Sequence, residues 1–239
     1  MCFLCWIKTI YLDAGIRLMR NILLTLLFFC CVDIVAASQD LDFIAVRKAF
    51  KAGDSKKLAI KIPRLQGHIL ESYGAYYQLQ LQLDEAKSDK KMKVDITAVR
   101  KFLASYQGSF LADKIRGQWL KILGETEQWK LFAKEYRSSI KEDAELSCYA
   151  LQQRLYINDS GVRDDALSLW FNGKEMPESC VSLFDSLISA KLLTEEDVWK
   201  RIRLALEKGK VSVVKHINQY LPKKHALSEQ KLNAANKNP

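Results

Sequence analysis

The chain has 239 residues, enough for one or two domains with a substantial core. Hydrophobic residues make up 49% and charged residues 27%, while Gly (10) and Pro (4) are scarce, which disfavours a turn-rich β architecture and points to helices. The formal net charge is +9; it fits either a Lys-rich solvated surface or an anionic partner, and the absence of a basic run interleaved with aromatics argues against nucleic acid.

The N-terminal 37 residues contain an apolar run, 21–31 (NILLTLLFFCC), preceded by Met19-Arg20 and followed by Ile34-Val35-Ala36-Ala37. A basic start, a core of about 10 apolar residues and small residues at its end have the form of a secretory signal peptide. The run is shorter than the roughly 20 residues a membrane span needs. Cleavage after Ala37 sets Val35 and Ala37 at the small-residue positions, although Asp33 is unusual there. Residues 1–18 fit the pattern poorly, so Met19 is the expected start and 1–18 an extension. An uncleaved anchor is the alternative; otherwise the membrane is met only through this leader.

Of the six cysteines, Cys2, Cys5, Cys30 and Cys31 fall in the leader, leaving Cys148 and Cys180 in the exported chain. Two cysteines in an oxidising compartment are expected to pair. The three histidines (His68, His216, His225) show no ligand spacing with them, so neither a metal site nor any cofactor is expected.

From Leu41 onward the periodicity is helical. Phe43, Val46, Ala49 and Phe50 form one stripe that stops at Gly53, and a second short helix is predicted to end at Pro63. Tyr73, Tyr76, Tyr77 and Leu81 mark a Tyr-rich face over 69–83, suited to inter-helix packing or to stacking on sugar rings. The polar stretch 84–95 (DEAKSDKKMKVD) reads as a surface linker. Val99, Phe102, Leu103 and Tyr106 form the next stripe. Leu111, Ile115, Trp119 and Ile122 follow, with Gly124 as a break. A short helix carries Trp129, Phe132, Ala133 and Tyr136.

The block 148–222 then packs several amphipathic helices with almost no loop between them. Cys148, Leu151 and Leu155 share one face; Val162, Ala166, Leu169 and Trp170 share the next. Pro177 opens a helix with Cys180, Leu183, Phe184, Leu187 and Ile188 on its apolar side. Thr194 with Asp197 forms a capping-box-like start, and Gly209 sits where a left-handed stop is needed. Residues 46–58 (VRKAFKAGDSKKL) and 202–213 (IRLALEKGKVSV) are loose copies of one helix–turn–helix design. The fold class expected is therefore all-α, an α-superhelix or solenoid of short helix–turn–helix repeats.

Two Glu-Ser pairs, Glu71-Ser72 and Glu178-Ser179, superficially suggest a glycosidic-bond acid. Such an acid needs a cleft that raises its pKa and sugar-binding partners around it. Glu71 falls in the Tyr-rich packing helix, and Glu178 in a first helical turn, where a carboxylate complements the helix dipole. No catalytic residue is assigned. The chain also lacks a nucleophile elbow or a phosphate-binding Gly loop.

The residues Cys148-Tyr149-Ala150, Asp164-Asp165-Ala166-Leu167-Ser168-Leu169-Trp170, Gly173-Lys174, Cys180, Leu183-Phe184 and 201–209 (RIRLALEKG) resemble the N-terminal superhelical, U-shaped domain of the bacterial soluble lytic murein transglycosylases. The resemblance runs from about residue 39 to the end and is weakest over 84–95. It implies a periplasmic protein whose partner is peptidoglycan, and a family chemistry that cleaves the N-acetylmuramic acid–N-acetylglucosamine bond to 1,6-anhydro products. It also implies that Cys148 and Cys180 form the family's disulfide. The family's catalytic glutamate lies in a separate C-terminal domain, in an E-S motif followed by G-L-M-Q, and G-L-M-Q is absent from these residues. The expected organisation is a leader over 1–37 and a partial superhelical domain over 38–239, cut inside a repeat at Pro239 and inactive alone. Its further partners would be the missing catalytic domain or other cell-wall proteins. A stand-alone periplasmic adaptor that binds protein on a helical-repeat surface is the competing expectation.

Overall fold

The computed structural model describes residues 40–89, 93–136, 143–171 and 174–237. The leader expected over 1–37, with its four cysteines, lies outside the described residues, as does the expected cut at Pro239. Among the described residues the secondary structure is entirely helical, with no strand. The all-α expectation therefore stands. The chain divides into two compact units, Met1–Gln82 and Leu83–Pro239.

In the first unit, α1 (40–51) is followed by α2 (Ser55–Lys61), a 3-10 turn (Ile62–Leu65) and the start of α3 (Glu71–Ser88). Asp54 caps α2 by accepting from the Lys57 N–H at 2.9 Å. As expected, α2 stops before Pro63; the proline sits in the first turn of the following 3-10 segment, where its missing N–H costs nothing, and that turn delivers Leu65 into the core. Val46, Ala49, Leu58, Leu65 and Tyr77 form that core.

The second unit continues with α4 (Ile96–Ser105), α5 (Phe110–Glu125), α6 (Trp129–Tyr136), α7 (Ala144–Tyr156), α8 (Val162–Trp170), α9 (Glu178–Ser189), α10 (Glu195–Glu207), α11 (Val211–Ile217) and α12 (Glu229–Lys237). Each packs mainly on the next helix or the next but one, as in α5 on α6 and α7, α7 on α8 and α9, and α10 on α11. The linker expected over 84–95 is corrected in its first part: α3 runs to Ser88, with Leu83 and Ala86 buried. Leu79, Leu83 and Ala86 recur at helical spacing, and this apolar row outweighs the polar composition around it. Asp84 accepts from Gln118 Nε2 at 2.6 Å. Glu135 on α6, largely buried, accepts from both Nε and Nη2 of Arg100 on α4 (3.1 and 2.8 Å), which satisfies a carboxylate that would otherwise be costly to bury.

One stop recurs. At the ends of α1, α5, α7, α9 and α10 a residue turns left-handed: Gly53, Glu127, Asn158, Lys191 and Gly209, with φ between 55° and 66°. Its N–H and that of the following residue bond back into the last turn, as in Lys191 N–H to Ile188 O (2.9 Å) and Leu192 N–H to Leu187 O (2.8 Å), or Gly209 N–H to Leu206 O and Lys210 N–H to Ala205 O (both 2.8 Å). The two bonds satisfy helix-terminal carbonyls and reverse the chain within a residue or two. Gly124 is not such a stop. It is helical and buried in α5, and its missing side chain makes room for the Tyr149 ring of α7.

Candidate functional site

The Tyr-rich face of α3 is spent on packing. The Phe50 and Tyr77 rings stack with centroids 4.2 Å apart, and Phe43 meets Tyr73 edge-on at 6.1 Å. Tyr77 is buried, and burial raises its phenol pKa. Glu71, at the start of α3, accepts from the Gly67 N–H at 2.8 Å and so closes its own loop. Beside it His68 accepts from the Leu70 N–H at Nδ1 (3.1 Å), which leaves Nε2 to donate to Asp40 Oδ1 (3.0 Å). These are structural bonds, as the sequence pattern implied for Glu71.

In the second unit, Cys148 on α7 and Cys180 on α9 are both fully buried, with Cα atoms 5.0 Å apart and the sulfurs in disulfide contact. Ser179, next to Cys180, is buried too and donates to Glu145 O at 3.1 Å, while Gln152 Nε2 donates to Ser179 O at 2.7 Å. The serine of the Glu178-Ser179 pair therefore serves the α7–α9 contact. Glu178 itself is exposed and opens onto a cleft.

That cleft, about 280 Å³, is lined by residues of α8, α9, α10 and α11. Its floor was not foreseen from the sequence. Arg201, in the middle of α10, is only 4% exposed. Its guanidinium carbon lies 4.4 Å from the Trp170 ring centroid and 4.9 Å from that of Phe184, and the two rings meet edge-to-face at 4.8 Å. Cation–π attraction offsets part of the cost of removing the charge from water. The Trp170 indole is fixed by donating to Asp197 O at 2.9 Å, and Thr194 and Asp197 form the capping box that starts α10. On the far wall Tyr220 donates to Asp185 Oδ1 at 2.6 Å; burial and that bond push its phenol well above the usual range. At the rim, Ser212 donates to Glu175 Oε1 at 2.8 Å.

The arginine is under-partnered. Its Nε and Nη1 are buried without a hydrogen-bond partner, and no carboxylate pairs with it among the described residues. Desolvation pulls its pKa down to about 10, opposed only by the Tyr220 phenol. It still carries a full charge at neutral pH. A signal for this position was present in the sequence: Val198, Arg201, Ile202 and Ala205 recur at i, i+3, i+4 and i+7, which puts the arginine on the apolar face. Elsewhere, no group of three or more His, Cys, Asp or Glu that could hold a metal ion occurs among the described residues, and no helix there is long and apolar enough to cross a membrane.

No protein-family model matches the sequence, and no match is found among curated proteins. Solved structures do match. The chain is similar to the 70 kDa soluble lytic transglycosylase of Escherichia coli (TM-score 0.63, 18% identity, 84% of this chain and 31% of that one). It is equally similar to a 70-kDa soluble lytic transglycosylase in complex with bulgecin A (TM-score 0.62, 18% identity, the same coverage). An inactive mutant of the lytic transglycosylase Slt from Pseudomonas aeruginosa gives a TM-score of 0.61 at 26% identity over 83% of this chain and 31% of that one. The described chain thus has the helical fold found in part of the soluble lytic transglycosylases, and it spans about a third of their length.

Proposed function

We propose that residues 38–239 form the scaffold portion of a periplasmic lytic murein transglycosylase, exported by the leader over 1–37 and held together in part by a Cys148–Cys180 disulfide. In this reading the segment contacts peptidoglycan and orients a catalytic domain, and it cleaves no glycan by itself. The observation that carries the proposal is the fold match over 84% of this chain with enzymes of that activity. The surroundings of Glu71 and Glu178 favour the non-catalytic part of it: Glu71 is tied to its own loop, and Glu178 stands exposed in a helical first turn. Both carboxylates are exposed, whereas a glycosidic-bond acid works from an enclosed site.

The test is digestion of purified sacculi with the full chain, followed by separation of the soluble muropeptides. No 1,6-anhydro product is expected, whereas co-sedimentation with sacculi is expected and should weaken as salt rises, because the +9 charge would meet an anionic polymer. Release of anhydromuropeptides would overturn the non-catalytic assignment. Failure to sediment at low salt would overturn the murein contact and favour the protein-binding adaptor.

A further inference from the structure

Buried charges in folded proteins are paired, and a buried guanidinium that lines a cleft with no carboxylate partner among the described residues is an exception that asks for an anion. We propose that the Arg201 cleft is a binding site for the carboxylate of a small monoanionic ligand with an apolar stem. The proposal does not rest on the scaffold reading, since it follows from the local chemistry of α8 to α11.

Three features define the ligand. The floor supplies one uncompensated positive charge, in a setting of low polarity where an ion pair gains most. The walls are apolar, with Trp170, Met176, Phe184 and Ile217 among them, and would take a short hydrocarbon or alanyl stem. The rim carries the Glu175 and Glu178 carboxylates together with the Lys174 ammonium, so its net charge is negative and repels a dianion such as phosphate more than a single carboxylate. One positive charge below, and two negative charges with one positive charge above, favour a monoanion that enters carboxylate first. The guanidinium is already fixed over two aromatic rings, so little side-chain entropy is lost when the anion arrives. Two sources offer this chemistry: a free short-chain carboxylic acid and the C-terminus of a short peptide.

Binding is measured on the full chain by NMR, with the Trp170 indole N–H as reporter because that ring lies under the guanidinium. The probes are butyrate, N-acetylalanylalanine, the C-terminal amide of the same dipeptide, and inorganic phosphate. At least one of the two acids should bind, and the tighter of them names the source; if neither binds, the proposal fails. The dipeptide amide should bind about tenfold or more weaker than the better acid, the loss expected when a hydrogen bond to a charged group is removed. Equal binding of acid and amide would overturn the proposal, as would displacement of the acid by equimolar phosphate. Arg201→Gln should abolish the acid preference, and retention of that preference would sink it. If Arg201→Gln does not fold, Glu178→Gln serves instead. It should tighten acid binding by about twofold at low salt through relief of a screened repulsion, and an unchanged affinity would count against the site.

Discussion

Gly124 of α5 and Tyr149 of α7 interlock: a Cβ placed on Gly124 would stand 2.3 Å from Tyr149 Cγ and 2.8 Å from its Cβ. The tyrosine is held by its own helix backbone, so the clash falls on the α5–α7 spacing and not on a mobile side-chain end. Gly124→Ala should therefore lower stability by about 1–3 kcal/mol through overpacking, in spite of the better helix propensity of Ala. Pairing it with Tyr149→Ala, which removes the Cγ and Cδ1 that the new Cβ would meet, should recover part of the loss. Denaturant melts of the two single variants and the double variant measure the coupling, and additive losses would show that the contact is not what confines Gly124.

The same tyrosine gives a pH prediction. Burial first, then the nearby Glu125, Glu145 and Glu178 carboxylates, push the Tyr149 phenol up to about 12. A phenol whose folded pKa exceeds its unfolded value of 10.0 adds stability that is complete below pH 10 and is lost as pH rises from there through the folded pKa. Chemical denaturation from pH 9 to 11.5 should show a loss of stability in the upper half of that range, and Tyr149→Phe should remove part of that slope. An unaltered slope would count against the shift.

Two tryptophans separate packing from hydrogen bonding. Trp119 and Trp170 are both fully buried, yet Trp119 Nε1 has no hydrogen-bond partner whereas Trp170 Nε1 donates to Asp197 O. Replacement by Phe removes similar volume at each site. Trp170→Phe should cost about 1 kcal/mol more, because it alone forfeits a hydrogen bond and weakens the aromatic support of Arg201. Thermal melts of the two variants provide the comparison; equal losses would remove the hydrogen bond as a distinguishing cause.

Cys148 and Cys180 are 32 residues apart in sequence. Closing a loop of that length restricts the unfolded chain by about 3–4 kcal/mol in the chain-entropy account. Under reducing conditions the melting temperature should fall, and the Cys148→Ala/Cys180→Ala double variant should melt close to the reduced protein. A melting temperature insensitive to reductant would mean that the pair contributes no cross-link in solution.

Much of the architecture was legible because apolar periodicity survives in the sequence. The stripes on α4, α5 and α9 name the residues that are buried, and the Thr194–Asp197 capping box forms as read. The errors share a cause. Composition was read where register governs: 84–88 looks polar but carries Ala86 on a buried row, and Gly124 looks like a break but is a packing gap. The Ala86 row is visible within its own segment, whereas the role of Gly124 depends on the Tyr149 ring that the neighbouring helix presents. The cleft was missed for the same reason, since α8, α9, α10 and α11 each contribute to it.

The left-handed stop that ends α1, α5, α7, α9 and α10 also bears on divergence. At two of these ends the residue is Gly, and at the others Glu, Asn or Lys bears a modest backbone cost. The reversal is thus written in main-chain bonds that nearly any side chain can accompany. Selection can then hold the helix ends in place while the residues there drift, and a fold punctuated in this way can outlive its sequence signature. The solved structures that the chain matches show identities of 18–26% over four-fifths of the chain at TM-scores of 0.61–0.63, a likeness of fold with little likeness of sequence.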